Sequence, residues 1–423
     1  MTASATNRAI EAVWRIEAPR LIAGLARMVR DVGLAEDLGQ DALVSALEQW
    51  PASGVPDNPG AWLMAVGKRR AVDHFRRLSM QQRKHAELGR DVTQVYEPDL
   101  DALEEDVGDD LLRLMFVTCH PVLSREARVA LTLRLLGGLS TPEIARAFLV
   151  PEPTIAQRIV RAKRTLADAR VPFEVPAPAQ RAERLSSVLE VIYLIFNEGY
   201  ASTAGERWVR PELCEEALRL ARVLAGLMPD EPENHGLVAL MEIQASRLRA
   251  RVGPSGEPVL LLDQDRSRWD RLLIGRGLAA LERAERLSGQ PGPYTLQAAI
   301  AACHARARTV EETDWERIVD LYDTLLEVLP SPIIELNRAV ALGMARGPEV
   351  ALPLVDALLD LPALRGYHLL PSVRGDLLAK LGRSGEAKAE FERAASLTRN
   401  ERERKLLLER ASAPAGGASL AGA

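Results

Sequence analysis

Aromatic residues make up only 4% of this 423-residue chain, and it has three cysteines. So few rings, with no alternating apolar/polar runs bounded by hairpin signals, argue against a sheet-built protein. Cys119, Cys214 and Cys303 lie far apart without a CxxC spacing, which excludes a disulfide framework or zinc ribbon. Cys119-His120 and Cys303-His304 look like ligand pairs, but neighbours on a helix point about 100° apart and rarely chelate one metal. Buried thiols in helical cores are the simpler reading, and no metal or cofactor is expected. Long apolar runs are missing too. The most apolar, Val188–Phe196, is interrupted by Glu190 and falls short of the ~20 residues of a membrane helix. Met1–Arg8 lacks a signal-peptide profile, so a cytoplasmic location is expected.

Alanine, leucine, arginine and glutamate dominate, with proline and glycine in short breaks, which points to an all-α protein. The length fits two to four domains at about 150 residues each. The net charge of −5 hides strong patterning. Trp62–Arg90 carries eight Lys/Arg against Asp73 and Glu87, and Glu152–Arg170 is net +3, whereas Asp91–Asp110 holds nine carboxylates and no cation. Two basic modules are joined by an acidic linker.

The stretch 138–170 describes two short helices and a tight turn. Ser140 and Glu143 form a capping box, Pro142 sits in the first turn, and Ile144, Ala145 and Phe148 give one apolar face. Pro151 ends this helix. The next has Ile155, Ile159 and Leu166 at helical spacing and Gln157, Arg158, Arg161, Lys163 and Arg164 on its other face. A helix-turn-helix needs this arrangement, with Ala145 small at the crossing and amide and guanidinium groups offered to base edges and phosphates. Leu149 stands where the turn usually has glycine. An ordinary helix pair with a solvated charged face has the same pattern.

Upstream, Ile10, Val13, Trp14, Leu21, Leu25 and Met28 place an apolar stripe on a first helix, with a kink or restart expected at Pro19. Gly33 is expected to break the chain, Ala35–Gln49 to form a second helix with Glu36, Asp37 and Asp41 in its first turns, and Trp50-Pro51 to stop it. After the loop Ala52–Asn58, Asn58 caps a third helix, Gly60–Arg77, in which Trp62, Leu63, Val66, Val72 and Phe75 alternate with the basic set. Five Lys/Arg and one carboxylate on eighteen residues repel one another without an anionic partner.

AEDLGQDALVSALEQWP followed by NPGAWLMAVGKRRAVDHFRR resembles region 2 of bacterial RNA polymerase sigma factors of the extracytoplasmic-function (ECF) class, and the helix-turn-helix stretch resembles their region 4. LDQDRSRWDR, GPYTLQAAIAACHARA and the helical C-terminal half resemble the subgroup with a tetratricopeptide-like extension. The resemblance implies region 2 over 8–90, an acidic linker over 91–110, region 4 over 111–170, a Pro-rich hinge over 171–180, a helical extension over 181–411 and a disordered tail over 412–423.

It also assigns roles. The acidic helix would dock on the polymerase β′ coiled coil through Asp37, Leu38, Gln40, Asp41, Val44 and Leu47, although the leucines also suit core packing. The loop Ala52–Asn58 corresponds to the segment that captures a flipped −10 base. Trp62, Lys68, Arg69, Arg70, His74, Arg76 and Arg77 would face the melted −10 strands, with Arg69 replacing a frequent asparagine. Thr154, Gln157, Arg158, Arg161 and Arg164 match positions that meet the −35 element. The linker resembles a segment that threads the RNA exit path, and its composition equally fits a disordered tether.

In the extension, SVRGDLLAKLGRSGEAKAEFERAASLTRN fits one tetratricopeptide unit, with Gly375, Gly382, Ala387, Phe391 and Ala394 at the expected spacings and Arg399 in place of the terminal proline. Asp314–Gly347 and Trp269–Leu287 read as further helix pairs, and a solenoid is the expected form. Its expected role is regulation or contact with a protein partner. Asp263, Asp265 and Asp270 near Arg266, Arg268 and Arg271 form its densest polar cluster. Without a nucleophile–base motif or phosphate loop, this reads as ion pairing rather than an active site. The expected function is promoter recognition by a non-enzymatic sigma factor; the alternative is a ligand-sensing helix-turn-helix regulator acting without polymerase.

Overall fold

The computed structural model describes residues 3–87, 107–202 and 204–412, which are helical almost throughout. It divides into two compact units, Met1–Ile192 and Tyr193–Ala423. Most of the acidic linker, Arg90 and nearly all of the C-terminal tail lie outside the described residues.

In the first unit, α1 (Ala3–Val29) runs on through Pro19, so the chain does not restart there. Ala18, Leu21, Ile22 and Leu25 are buried on both sides of the proline, where the helix packs on α2 (Val32–Ser53) and α3 (Pro59–Glu87). At about 1.5–3 kcal/mol per buried large side chain, this outweighs the roughly 3 kcal/mol a helical proline costs. The break also falls earlier than Gly33. Arg30 takes a left-handed φ of 53°, Asp31 caps α2 by accepting from Leu34 N at 2.8 Å, and Gly33 sits in the first turn of α2. Nor does Trp50-Pro51 stop α2. The helix ends at Gly54 (φ 84°), shortening the loop to 54–58, and Trp50 is buried edge-on to Trp62 at 5.2 Å. Asn58 caps α3 as expected, accepting from Ala61 N at 3.0 Å, and α3 continues beyond Arg77.

The expected linker gives way to α4 (Val107–Thr118) before Asp110. Asp110 is buried between Arg27 (3.3 Å) and Arg113 (2.9 Å), so the last of the linker's acids belongs to the fold. Ser124 caps α5 (Arg125–Leu135), and the capping box of Ser140 and Glu143 opens α6 (Thr141–Phe148). After a turn in which Leu149 adopts the left-handed conformation (φ 50°, ψ 41°), α7 (Glu152–Asp168) follows. The Pro-rich segment is shorter than expected because α8 (Pro178–Tyr200) begins inside it. The first part of α8 packs on region 4: Arg184 donates to Phe116 O at 2.9 Å and Ser187 to Cys119 O at 2.6 Å. The division between the units falls inside α8.

The second unit continues with α9 (Pro211–Leu227), α10 (Pro232–Ala245), α11 (Arg271–Leu287), α12 (Pro293–Arg306), α13 (Trp315–Val328), α14 (Pro332–Arg346), α15 (Pro348–Asp356), α16 (Leu369–Lys380), α17 (Ser384–Leu397) and α18 (Glu401–Ser412). Each packs chiefly on its neighbours in the chain, as in a solenoid. Trp269–Leu287 is not a helix pair: it supplies the single helix α11, which packs on α10. In the tetratricopeptide unit, Phe391 of α17 lies against Gly375 of α16, where a Cβ would come within 2.9 Å of the ring. Arg399 and Asn400 form a two-residue strand paired in parallel with Ala204 and Gly205, and Asn400 Nδ2 donates to Ser202 O (3.0 Å) and Arg207 O (3.1 Å). The far end of the solenoid is thus tied to its beginning.

The expected ion pairing around Asp263–Arg271 is absent among the described residues. Asp265 accepts from Ser267 N (2.9 Å), and Asp270 caps α11 through Leu272 N (2.9 Å) and Leu273 N (3.1 Å). Arg266 instead donates to His304 O, Ala307 O and Thr313 Oγ1 at 2.9–3.0 Å. Short aspartates beside free helix N–H groups cap rather than bridge. Cys119 and Cys214 are buried thiols and Cys303 is half-buried.

Candidate polymerase and nucleic-acid interfaces

The acidic helix α2 buries Leu38, Ala42 and Ala46 and leaves a stripe outward. At about 100° per residue, Asp37, Gln40, Asp41, Val44 and Leu47 fall within one arc of roughly 120°. Asp37 and Asp41 are exposed, as are Val44 (51%) and Leu47 (43%). Leu38 lies outside this arc at 4% exposure and serves the core, so five of the six candidate polymerase-binding residues share a surface. The stripe therefore carries two exposed aliphatic side chains beside two exposed carboxylates.

On α3, Leu63, Ala71 and Phe75 face inward, while Arg69, Arg70, Arg76 and Arg77 are exposed. Trp62, Lys68 and His74 are half-buried, Trp62 against Trp50 and His74 edge-on to Phe75. The one ion pair described for this set is Arg76–Asp73 at 3.9 Å. Among the described residues, Lys68, Arg69, Arg70 and Arg77 have no carboxylate partner, which leaves a cationic surface suited to phosphates.

The recognition helix α7 buries Ile155, Ile159, Ala162 and Leu166. Thr154, Gln157, Arg161 and Arg164 are exposed and Arg158 is half-buried. Four of these five, all but Arg164, line a cleft of about 470 Å³ against the turn from Val122 to Ala127. Glu126 lies in the same cleft, its carboxyl held below the usual range by hydrogen bonds at the α5 N-terminus and by Arg158. Arg164 pairs at 3.5 Å with Asp168 in full solvent, worth about 0.3–0.5 kcal/mol and easily exchanged for a phosphate. Sequence reasoning missed Val160, which is 64% exposed and lies next to Arg164 at the edge of this surface, where an apolar group suits a thymine methyl.

Lys163, expected beside the DNA-facing residues, is turned the other way. Its ammonium pairs with Glu36 of α2 and lies 3.8 Å from Asp37. Arg134 of α5 meets the same Glu36 carboxylate at 2.6 Å, and Gln40 donates to it at 2.7 Å. Glu36 is only 3% exposed; burial raises its pKa, but Lys163 and Arg134 prevail and hold it below the ordinary value. Arg15–Glu143 (3.2 Å) and Arg27–Asp110 add further contacts between α1 and the region-4 helices.

A three-helix module with a largely unpaired basic helix, packed on a helix-turn-helix, is the arrangement expected of a sigma-70-type protein. Residues 14–80 match the family model for sigma-70 region 2, residues 113–166 that for sigma-70 region 4, and residues 184–285 a family of unknown function (DUF6596). An uncharacterized protein of Rhizobium meliloti is 45% identical over 391 residues, covering 90% of each chain. The probable ECF RNA polymerase sigma factor SigI of Mycobacterium tuberculosis is 30% identical over 176 residues, 40% of this chain and 58% of that one. The ECF RNA polymerase sigma factor SigC of the same organism is 29% identical over 179 residues, 40% of this chain and 86% of its own. The chain belongs to the extracytoplasmic-function family of sigma factors, in a subgroup with a long helical C-terminal extension. Such proteins are transcription initiation factors that bind core RNA polymerase and promoter DNA. No described helix is long and apolar enough to cross a membrane.

Proposed function

We propose that α2 docks on the polymerase β′ coiled coil through Asp37, Gln40, Asp41, Val44 and Leu47. In this reading the loop 54–58 takes a flipped −10 base, and α3 holds the melted strands through Trp62, Lys68, Arg69, Arg70, His74, Arg76 and Arg77. Thr154, Gln157, Arg158, Arg161 and Arg164 read the −35 element. The observation that carries it is the pairing of two basic surfaces, on α3 and α7, with an acidic-aliphatic stripe on α2 of the same compact unit. The −10 and −35 elements lie about 25 base pairs apart, roughly 85 Å of duplex. Glu36 joins α2 directly to α5 and α7, so engaging both elements requires that this contact open. The solenoid acts as a regulatory or protein-binding domain; its repeated helix pairs support this reading.

The test is transcription in vitro with the full chain, core polymerase and a library of genomic fragments across a salt series. Core-dependent, promoter-selective transcripts are expected. No transcripts, together with duplex binding that needs no polymerase, would overturn the reading in favour of a free-standing regulator.

A further inference from the structure

The second unit holds a cluster that promoter recognition does not use. Arg247 and Arg251 stand one turn apart beyond the end of α10, and Arg266 precedes α11. Their guanidinium groups alternate with aromatic rings. Arg251 lies 3.7 Å from the Tyr200 ring and 5.5 Å from that of Trp208. Arg247 lies 5.8 Å from Tyr200 and 5.7 Å from Trp269, and Arg266 5.1 Å from Trp269.

Arg247 and Arg266 are each 6% exposed. Among the described residues none of the three arginines has a carboxylate within ion-pair distance. Glu311 and Glu312 influence Arg266 only from farther off. Arg266 is satisfied in part by carbonyls, and Arg251 donates to Tyr200 O at 3.2 Å. Arg247 has no side-chain hydrogen bond among the described residues. A buried cation without a counter-ion is among the costliest arrangements in a protein interior, and contact with π-faces does not offset it.

The unpaired atoms point the same way. Nε of Arg247, Arg251 and Arg266, Nε1 of Trp208 and Trp269, and Oη of Tyr200 are all buried without a hydrogen-bond partner. Every one carries a hydrogen to donate. Six orphaned donors in one connected cluster call for acceptors. Trp269 is the member of the cluster that also lines an open cleft of about 650 Å³, together with Arg249, Val252, Ser267, Arg268 and Asp270. Asp270 is committed to capping α11, which leaves two exposed arginines and the Trp269 ring as its recognition groups.

We propose that this cluster is an oxyanion site, in which Arg247 and Trp269, with Arg249 and Arg268 at the rim, receive the phosphate or carboxylate group of a small molecule. The position assigns the extension a ligand that no promoter contact requires, and the proposal stands independently of how the extension acts on transcription. It also gives a role to the Asp265–Arg271 segment: its aspartates are taken up by capping, so its arginines keep no carboxylate partner.

The test is thermal unfolding of the full chain titrated with inorganic phosphate and separately with citrate, against chloride at matched ionic strength. A saturable rise of several degrees in the midpoint of the second unit is expected. A response to phosphate alone identifies a phosphorylated ligand, and a response to citrate alone a carboxylate. Arg247→Met, which removes the charge while keeping an unbranched apolar side chain, is expected to abolish the rise and to leave the anion-free midpoint unchanged or higher. If that variant is less stable without anion and wild type shows no saturable rise, Arg247 is structural and the proposal fails. The double change Arg249→Gln/Arg268→Gln, confined to exposed side chains, is expected to weaken anion affinity at least several-fold. An undiminished response in this variant would mean adventitious anion binding only and would equally overturn the site.

Discussion

Arg134 Nε lies 2.6 Å from Glu36 Oε1, and Lys163 of the recognition helix closes on the same carboxylate. A single glutamate in α2 thereby holds two helices of region 4. Removing one partner of a buried ion pair costs about 3–5 kcal/mol, and the partial exposure of Arg134 and Lys163 reduces this to roughly 1–3 kcal/mol. Glu36→Gln is expected to lower the stability of the first unit by that amount. It is also expected to lengthen the distance between dyes on the exposed faces of α3 and α7, read by energy transfer. An unchanged distance would show that Arg15–Glu143 and Arg27–Asp110 suffice to keep the unit closed.

Arg161→Ala removes an exposed guanidinium from the cleft-lining face of α7. If it meets a phosphate, binding to −35 duplexes weakens uniformly across sequences and the salt dependence falls by about one charge. If it meets a guanine edge, discrimination falls by about 1–3 kcal/mol at one position. Gel-shift titrations over a panel of duplexes at several salt concentrations separate the two.

Leu149 occupies a left-handed turn position at 51% exposure, so its side chain gains little from burial. The strain costs about 1–2 kcal/mol, part of which glycine would return as unfolded-state entropy. Leu149→Gly is expected to stabilise the first unit by up to about 1 kcal/mol in denaturant unfolding. A loss of stability would show that the exposed leucine packs more than its accessibility indicates.

Gly375 faces the Phe391 ring, and a methyl there would come within 2.9 Å of a ring carbon. Phe391 is 2% exposed and has no room to retreat. Gly375→Ala is expected to destabilise the second unit by about 1–3 kcal/mol, visible as a lower melting temperature, with the first unit's transition unaffected.

His304 is buried edge-on to Trp315, and burial together with Arg247 and Arg266 pushes its pKa down to about 3. The unfolded state therefore binds a proton that the folded state refuses as pH falls below about 6.5. Stability contributed by the neutral imidazole is full above that pH and declines as the pH drops toward about 3. His304→Gln is expected to flatten this part of the stability profile, measured by denaturant unfolding across that range.

Helix caps and turn chemistry were readable residue by residue: Ser140 with Glu143 and Asn58 cap as their spacing predicts. Such features depend on neighbours within four positions. The same locality explains the errors. Pro19 and Gly33 carry strong local signals for a break, yet burial of Leu21, Ile22 and Leu25 against other helices keeps α1 continuous, and the Asp31 cap moves the break upstream. Around Asp265–Arg271, proximity in sequence suggested ion pairs, but helix N–H groups captured the aspartates and carbonyls from α12 and beyond captured Arg266.

Helical class, the order of the two promoter-binding modules and the basic stripes on α3 and α7 follow from the sequence alone, because composition, apolar period and charge pattern are local properties. Tertiary structure decided which charges remain free. Glu36 and Lys163 are separated by more than a hundred residues and nothing near either announces the other, yet packing makes them partners and takes Lys163 away from the DNA-facing surface. Packing likewise gathers Arg247, Arg251 and Arg266 among aromatic rings without a carboxylate. Whether a charge is paired, screened or stranded depends on what long-range folding brings within a few ångströms of it, where the interaction energy is steepest.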